Sequence, residues 1–143
     1  VVETSIGLDR MFLTVLSHSF REEKLENGES RVVLKIPAVL APIKAAILPL
    51  TKKDGMPEKA REIMKSLQID FNCQYEEKDS IGKRYRRQDA IGTAFCITVD
   101  HQTLEDNTVT IRDRDTMKQE RVSVEKLHSI LAEKVNIAKY LES

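Results

Sequence analysis

The segment Ala45-Ala46-Ile47-Leu48-Pro49-Leu50 constrains this chain most. Side chains on a strand alternate between two faces, so an almost unbroken apolar run of strand length asks for cover on both. That is the pattern of an inner strand in a sheet with helices on either side. Lys52-Lys53-Asp54-Gly55 closes the run with a turn. Pro57 then falls near the start of a helix, where its missing N–H costs little, and Ala60, Ile63, Met64 and Leu67 supply the apolar stripe. A second strand is expected over Phe71 to Tyr75, followed by a short basic helix over Ser80 to Ile91 with Ile81, Tyr85 and Ile91 as its apolar contacts. Thr93 to Val99 and Thr108 to Arg112 are β-branched strands separated by a polar turn, Asp100 to Asn107. Glu120 to Val124 alternates as a third such strand. Val124 to Leu141 closes the chain as a helix with Leu127, Ile130, Leu131, Val135, Ile137 and Leu141 inward. This order predicts an α/β fold, a mixed sheet of about five strands flanked by helices.

The first forty residues read differently. Val1 to Ser5 is strand-like, and Leu8, Met11, Phe12, Val15, Leu16 and Ser19 predict an amphipathic helix over Leu8 to Phe20. Glu22 to Ser30 is charged and turn-rich, Val32 to Ile36 is a short extended run, and Pro37 and Pro42 mark a connection. A domain boundary is expected near Ala41, giving units 1–41 and 42–143. The sequence begins without Met, and Val1, Val2, Ile6 and Leu8 ask for a partner surface, so the expectation is the tail of something larger, its first helix poorly anchored alone.

Lys and Arg number 23, as do Asp and Glu, among 143 residues. That balance excludes a uniformly basic, histone-like protein but leaves room for local basic patches. There is no long apolar run of bilayer length, and Val1-Val2-Glu3-Thr4 lacks the basic start and apolar centre of a signal peptide, so neither membrane insertion nor secretion is expected. Cys73 and Cys96 are far apart, and His18, His101 and His128 are dispersed; no metal site is expected, Cys96 reads as a buried small hydrophobe, and a reducing cytoplasm fits. Glu76-Glu77 and Glu105-Asp106 read as solvated turn charges.

Three constellations carry chemistry. In Glu3-Thr4-Ser5-Ile6-Gly7-Leu8-Asp9-Arg10, Glu3 and Ser5 lie two apart on one strand face and could together hold an ammonium group, while Arg10 in the first helical turn could reach a phosphate. On local spacing alone, a Glu3–Arg10 ion pair with Ser5 as a helix cap is the simpler account. Lys83, Arg84, Arg86 and Arg87 form a dense cluster suited to backbone phosphates, with neutralisation by Asp79 and Asp89 as the competing account. Arg112 and Arg114 alternate to one side of a strand and could present a polar face to single-stranded bases; an internal salt-bridge ladder is the alternative, especially for Asp113 and Asp115.

ETSIGLDR followed by an apolar helix resembles the third signature motif of class II aminoacyl-tRNA synthetases, and its Glu-x-Ser-x-Gly-x-x-Arg form resembles the glycyl-tRNA synthetases. LAPIKAAILPLTKKDGMPEKAREI, SIGKRYRRQDAIGTAFCITVD and NTVTIRDRDTMKQERV continue that resemblance through a C-terminal anticodon-binding domain. Thr4 departs from the Pro expected there. The resemblance implies that residues 1–41 end a class II catalytic domain and that 42–143 bind the tRNA anticodon region. It implies that Arg10 binds the ATP triphosphate, that Glu3 and Ser5 line the glycine pocket, and that Lys83, Arg84, Arg87, Arg112 and Arg114 contact tRNA. It further implies a homodimeric parent, a glycine–tRNA ligase that activates glycine with ATP and Mg2+ and passes it to glycine tRNA. The other class II motifs are absent from this sequence, so this chain alone is expected to be inactive and to hold no cofactor. A non-catalytic tRNA-binding accessory module with the same fold is the alternative. A small-molecule nucleotide-binding domain is disfavoured, since no Gly-rich phosphate loop follows a predicted strand.

Overall fold

The computed structural model describes residues 20–26 and 28–135. The expected strand at Val1 to Ser5, the helix from Leu8 up to residue 19, and the continuation of the last helix past Val135 lie outside the described residues, as do Glu3, Ser5 and Arg10.

The described chain opens with a hairpin of β1 (Phe20–Lys24) and β2 (Ser30–Leu34), paired antiparallel from Phe20↔Leu34 to Lys24↔Ser30. Phe20 is therefore strand, and the charged stretch read as a turn supplies a strand as well as the turn itself. The charge is tolerated because β1 is an outer ribbon, and Glu23 meets Arg31 directly across the pair.

The main sheet runs in the order β4-β3-β5-β6-β7. Its strands are β3 (Ala45–Pro49), β4 (Cys73–Tyr75), β5 (Phe95–Val99), β6 (Thr108–Asp113) and β7 (Gln119–Ser123). β4, β3 and β5 are parallel, and β6 and β7 join antiparallel. Helix α1 (Met56–Gln68) carries the chain from β3 to β4, and α2 (Ile81–Ile91) carries it from β4 across to β5. β4 and β5 flank β3 on opposite sides, so two crossovers of one hand put α1 and α2 on opposite faces. Every residue of β3 and of β5 is consequently buried.

One face packs Ala45, Ile47, Phe95, Ile97, Val99, Val109 and Ile111 against Met56, Ala60, Ile63 and Leu67 of α1 and against Leu127 and Leu131 of α4 (Val124–Lys134). The other packs Ala46, Leu48 and Cys96 against Ile81 and Tyr85 of α2. A further helix, α3 (His101–Asp106), occupies the stretch expected as a polar turn. It forms because Asp100 and Thr103 cap each other reciprocally and Asn107, at φ 58°, ends it in the left-handed region.

The hairpin is seated on α2. Gly92 ends that helix at φ +83°, and the Leu34 side chain lies 3.0 Å from where a Cβ at residue 92 would stand. Glycine is required there twice over, by backbone conformation and by close approach.

Candidate nucleic-acid interface

Ile81 and Tyr85 set the inward face of α2, and helical periodicity turns Arg84, Gln88 and Asp89 inward with them. Lys83 and Arg87 point outward, with Arg86 half-buried. Ser80 caps the helix by accepting the Lys83 amide. Ile91, expected as an apolar contact, is instead 47% exposed.

The inward charges are satisfied by the protein itself. Asp89 is 1% exposed and is shared by two arginines. Arg112 donates to both of its carboxylate oxygens at 2.8 and 3.1 Å, and Arg31 donates to one at 3.0 Å. Arg86 approaches at 3.8 Å. Arg31 also binds the Arg114 carbonyl at 2.8 Å and Glu23 at 2.6 Å. The Arg112 guanidinium lies 4.7 Å from the Tyr85 ring centroid. Arg114 donates to the Gly92 carbonyl at 2.9 Å, to the Ile36 carbonyl, and to Asp115 at 2.9 Å. This network ties the hairpin, α2 and the end of β6 into one body.

Three of the five arginine and lysine positions expected to touch tRNA are therefore internal. Arg84, Arg112 and Arg114 are 2, 3 and 3% exposed, and their guanidinium groups are committed to carbonyls, carboxylates or a ring. Arg112 and Arg114 do share a side, as alternation predicted, but Asp89 and Tyr85 of α2 cover Arg112, and Arg114 is turned onto the Gly92 and Ile36 carbonyls; the polar face expected for reading bases is not at the surface. The internal salt-bridge account of these residues is the one the geometry carries. Asp113 accepts the amides of Asp115 and Thr116 and so shapes its own turn.

Lys83 and Arg87 remain on the surface. Arg87 binds Asp79 at 2.6 Å, the Lys78 carbonyl at 2.9 Å, and Glu76. Its hydrogen bond to Asp79 raises its pKa and holds that carboxyl below the usual range. Glu76 is thus a structural partner rather than a solvated turn charge: it also accepts from Gln88 at 2.8 Å. Glu77 accepts the Tyr75 hydroxyl at 2.6 Å. Lys52, Lys53, Lys78 and Lys83 are all exposed, and all belong to segments that leave or follow the carboxyl ends of β3 and β4. Lys52 is close enough to act on Glu77, and Lys83 and Lys78 act on Asp79. A rim of lysines therefore collects at one end of a chain whose overall charge is zero, interleaved with Asp54, Glu76, Glu77 and Asp79. The direction of connection also reverses between β3 and β5, the point at which open α/β sheets take ligands beyond their carboxyl ends.

Burial pushes the Cys96 thiol up to about 12 and the Cys73 thiol to about 11, so neither is a ready nucleophile. Among the described residues no group of three or more His, Cys, Asp or Glu is arranged to hold a metal ion, and no helix is long and apolar enough to cross a membrane.

A mixed five-stranded sheet with helices on both faces and lysines gathered at its carboxyl end places the chain in the α/β class. The same fold occurs in the RNA binding domain of threonyl-tRNA synthetase from Cryptosporidium parvum, which superposes with a TM-score of 0.64 at 22% identity over 70% of this chain and 25% of that one. The family model described as "Anticodon binding domain" matches residues 44–134, and the chain belongs to that family. It is 53% identical over 135 residues to a glycine–tRNA ligase of Clostridium acetobutylicum, covering 94% of this chain and 29% of that protein. Identity is again 53% over 135 residues with the glycine–tRNA ligase of Chlorobaculum tepidum, covering 94% and 28% of the two chains. With the Borrelia hermsii ligase it is 50% over 129 residues, 90% and 29%. The chain spans under a third of the length of these relatives.

Proposed function

We propose that this chain is the C-terminal part of a glycine–tRNA ligase and that its work is to bind the anticodon region of glycine tRNA. The observation that carries the reading is that one continuous match to glycine–tRNA ligases takes in 94% of the chain, including the whole anticodon-binding segment. The rim of lysines supports it chemically, since phosphate attraction supplies a large share of the affinity for nucleic acid. Of the expected contact set Lys83 and Arg87 are exposed, Arg87 while holding Asp79 and Glu76, and Lys52, Lys53 and Lys78 extend them along the rim.

In this reading residues 1–41 close a catalytic domain of the longer protein. Glu3 and Ser5 hold the amino group of glycine there and Arg10 binds the ATP triphosphate, for which a permanent charge with several donors is suited. The longer protein is then a cytoplasmic homodimer that makes glycyl-adenylate and transfers glycine to tRNA, and this chain by itself does not activate glycine. Mg2+ would accompany ATP in that other part; no group among the described residues fits it.

The test is a salt titration of binding to glycine tRNA beside the same tRNA with its anticodon bases exchanged. The reading predicts weaker binding to the exchanged tRNA at every salt concentration. Equal affinities with a steep salt slope would leave only phosphate attraction and sink the anticodon assignment.

A further inference from the structure

Arg84 is 2% exposed and forms no ion pair with any described carboxylate. Its Nη1 donates to the Pro49 carbonyl at 2.6 Å and the Glu76 carbonyl at 3.2 Å, and its Nη2 donates to the Leu50 carbonyl at 3.3 Å. Its Nε is buried without a partner. Burying a charge this way is costly, and a hydrophobe of similar size would avoid the cost. What the guanidinium adds is geometry, a flat rigid fork that joins carbonyls from two separate segments.

Those segments are the exits of two neighbouring parallel strands. Pro49 and Leu50 stand where β3 ends, and Glu76 directly follows β4. From there the chain runs into residues 51–55, with Lys52 and Lys53, and into residues 77–80, with Lys78. Each loop contains an aspartate in the left-handed region, Asp54 at φ 61° and Asp79 at φ 66°, a conformation that the surroundings must maintain. Arg84 is thus the one side chain that grips the base of both loops in the described structure.

We infer that Arg84 is a positioning residue for RNA: it locks the two loops at the carboxyl end of the sheet in register, so that Lys52, Lys53, Lys78 and Lys83 meet the nucleic acid as one surface. The inference rests on the RNA-binding reading above and extends it to a residue that RNA itself does not touch.

The test compares wild type with Arg84→Met, which keeps length and removes the donors, and Arg84→Lys, which keeps the charge on a single point. Binding to glycine tRNA and to the anticodon-exchanged tRNA is measured well below each variant's unfolding temperature. Arg84→Met is expected to lose about tenfold in affinity for glycine tRNA, the size of one base mismatch, and most of the preference between the two tRNAs. Its salt slope stays unchanged, and Arg84→Lys lies between. A folded Arg84→Met with full preference would overturn the inference. So would an equal loss for both tRNAs with a shallower salt slope, because Arg84 would then be a phosphate contact. If wild type shows no preference, the anticodon reading fails first and this inference with it. If Arg84→Met does not fold, hydrogen exchange on Arg84→Lys decides: amides of 51–55 and 77–80 exchange faster than in wild type while β3 and β5 stay protected, and unchanged loop exchange would refute the lock.

Discussion

Replacing Asp89 by Ala removes the carboxylate that Arg31 and Arg112 share, and the size of the effect follows from burial. The side chains of Asp89, Arg31 and Arg112 are 1, 0 and 3% exposed, so water cannot re-solvate what the substitution leaves behind. Breaking one buried pair from one side costs roughly 3–5 kcal/mol, because it strands an uncompensated charge. Here two guanidinium groups lose their partner. Some of that is offset, since Arg31 keeps the Arg114 carbonyl and Glu23, and Arg112 keeps the Tyr85 ring. About 4 kcal/mol is therefore expected, a large share of the roughly 5–15 kcal/mol that holds a domain together. Urea unfolding at neutral pH followed by circular dichroism measures it. Asp79→Asn provides the control, because Asn tolerates the left-handed backbone there, the Arg87–Asp79 pair is exposed at 43 and 50%, and such pairs contribute at most about 1 kcal/mol. A loss below about 1 kcal/mol for Asp89→Ala, no larger than the control, would refute the reasoning that this carboxylate is the hub joining hairpin, helix and sheet.

Other expectations follow from single contacts. Gly92→Ala puts a methyl group 3.0 Å from Leu34 at a positive φ, and a loss of about 1–3 kcal/mol is expected in the same assay; a neutral result would mean that the hairpin is not seated there. Asp100→Asn keeps an oxygen to cap α3 but loses the ion pair to Arg121, at a cost of about 1 kcal/mol at pH 7. Burial opposes the charged form of Asp100, but the bonds from Arg121 and Thr103 outweigh it and leave its pKa below the ordinary 3.8. Its contribution is thus present above pH 3.8 and fades as pH falls through the lower folded value, so the gap between wild type and variant should close in acid thermal scans. A gap that stays constant into strong acid would contradict this. Lys83→Gln should reduce the salt slope of tRNA binding by about one without altering the preference between tRNAs, and an unchanged slope would remove Lys83 from the interface.

The inner strands β3 and β5 were legible because they are largely apolar and buried on both faces. Ala45 to Leu50 announced β3, and the Ala60-Ile63-Leu67 stripe announced α1. β1 was hidden because Phe-Arg-Glu-Glu-Lys has the composition of a turn, and its partner's pairing rather than its own propensity makes it a strand. α3 was hidden because its stability lies in a capping box on a short polar segment. The burial of the arginines was not legible, for a physical reason. Alternation on a strand suggested that Arg112 and Arg114 present a polar face, yet the carboxylate that holds Arg112 inside is 23 residues away, on α2. A local signal did exist for α2: Ile81 and Tyr85 facing inward place Arg84 and Asp89 on the same stripe, whatever their charge.

The central claim is that this chain holds the anticodon arm rather than tRNA at large. The most direct measurement is competition: bound glycine tRNA is displaced either by its isolated anticodon stem-loop or by its acceptor-arm minihelix, at one fixed physiological salt concentration. The account predicts that the stem-loop displaces nearly as well as intact tRNA and that the minihelix competes only weakly. Displacement by the minihelix at the same concentration as the stem-loop would contradict it.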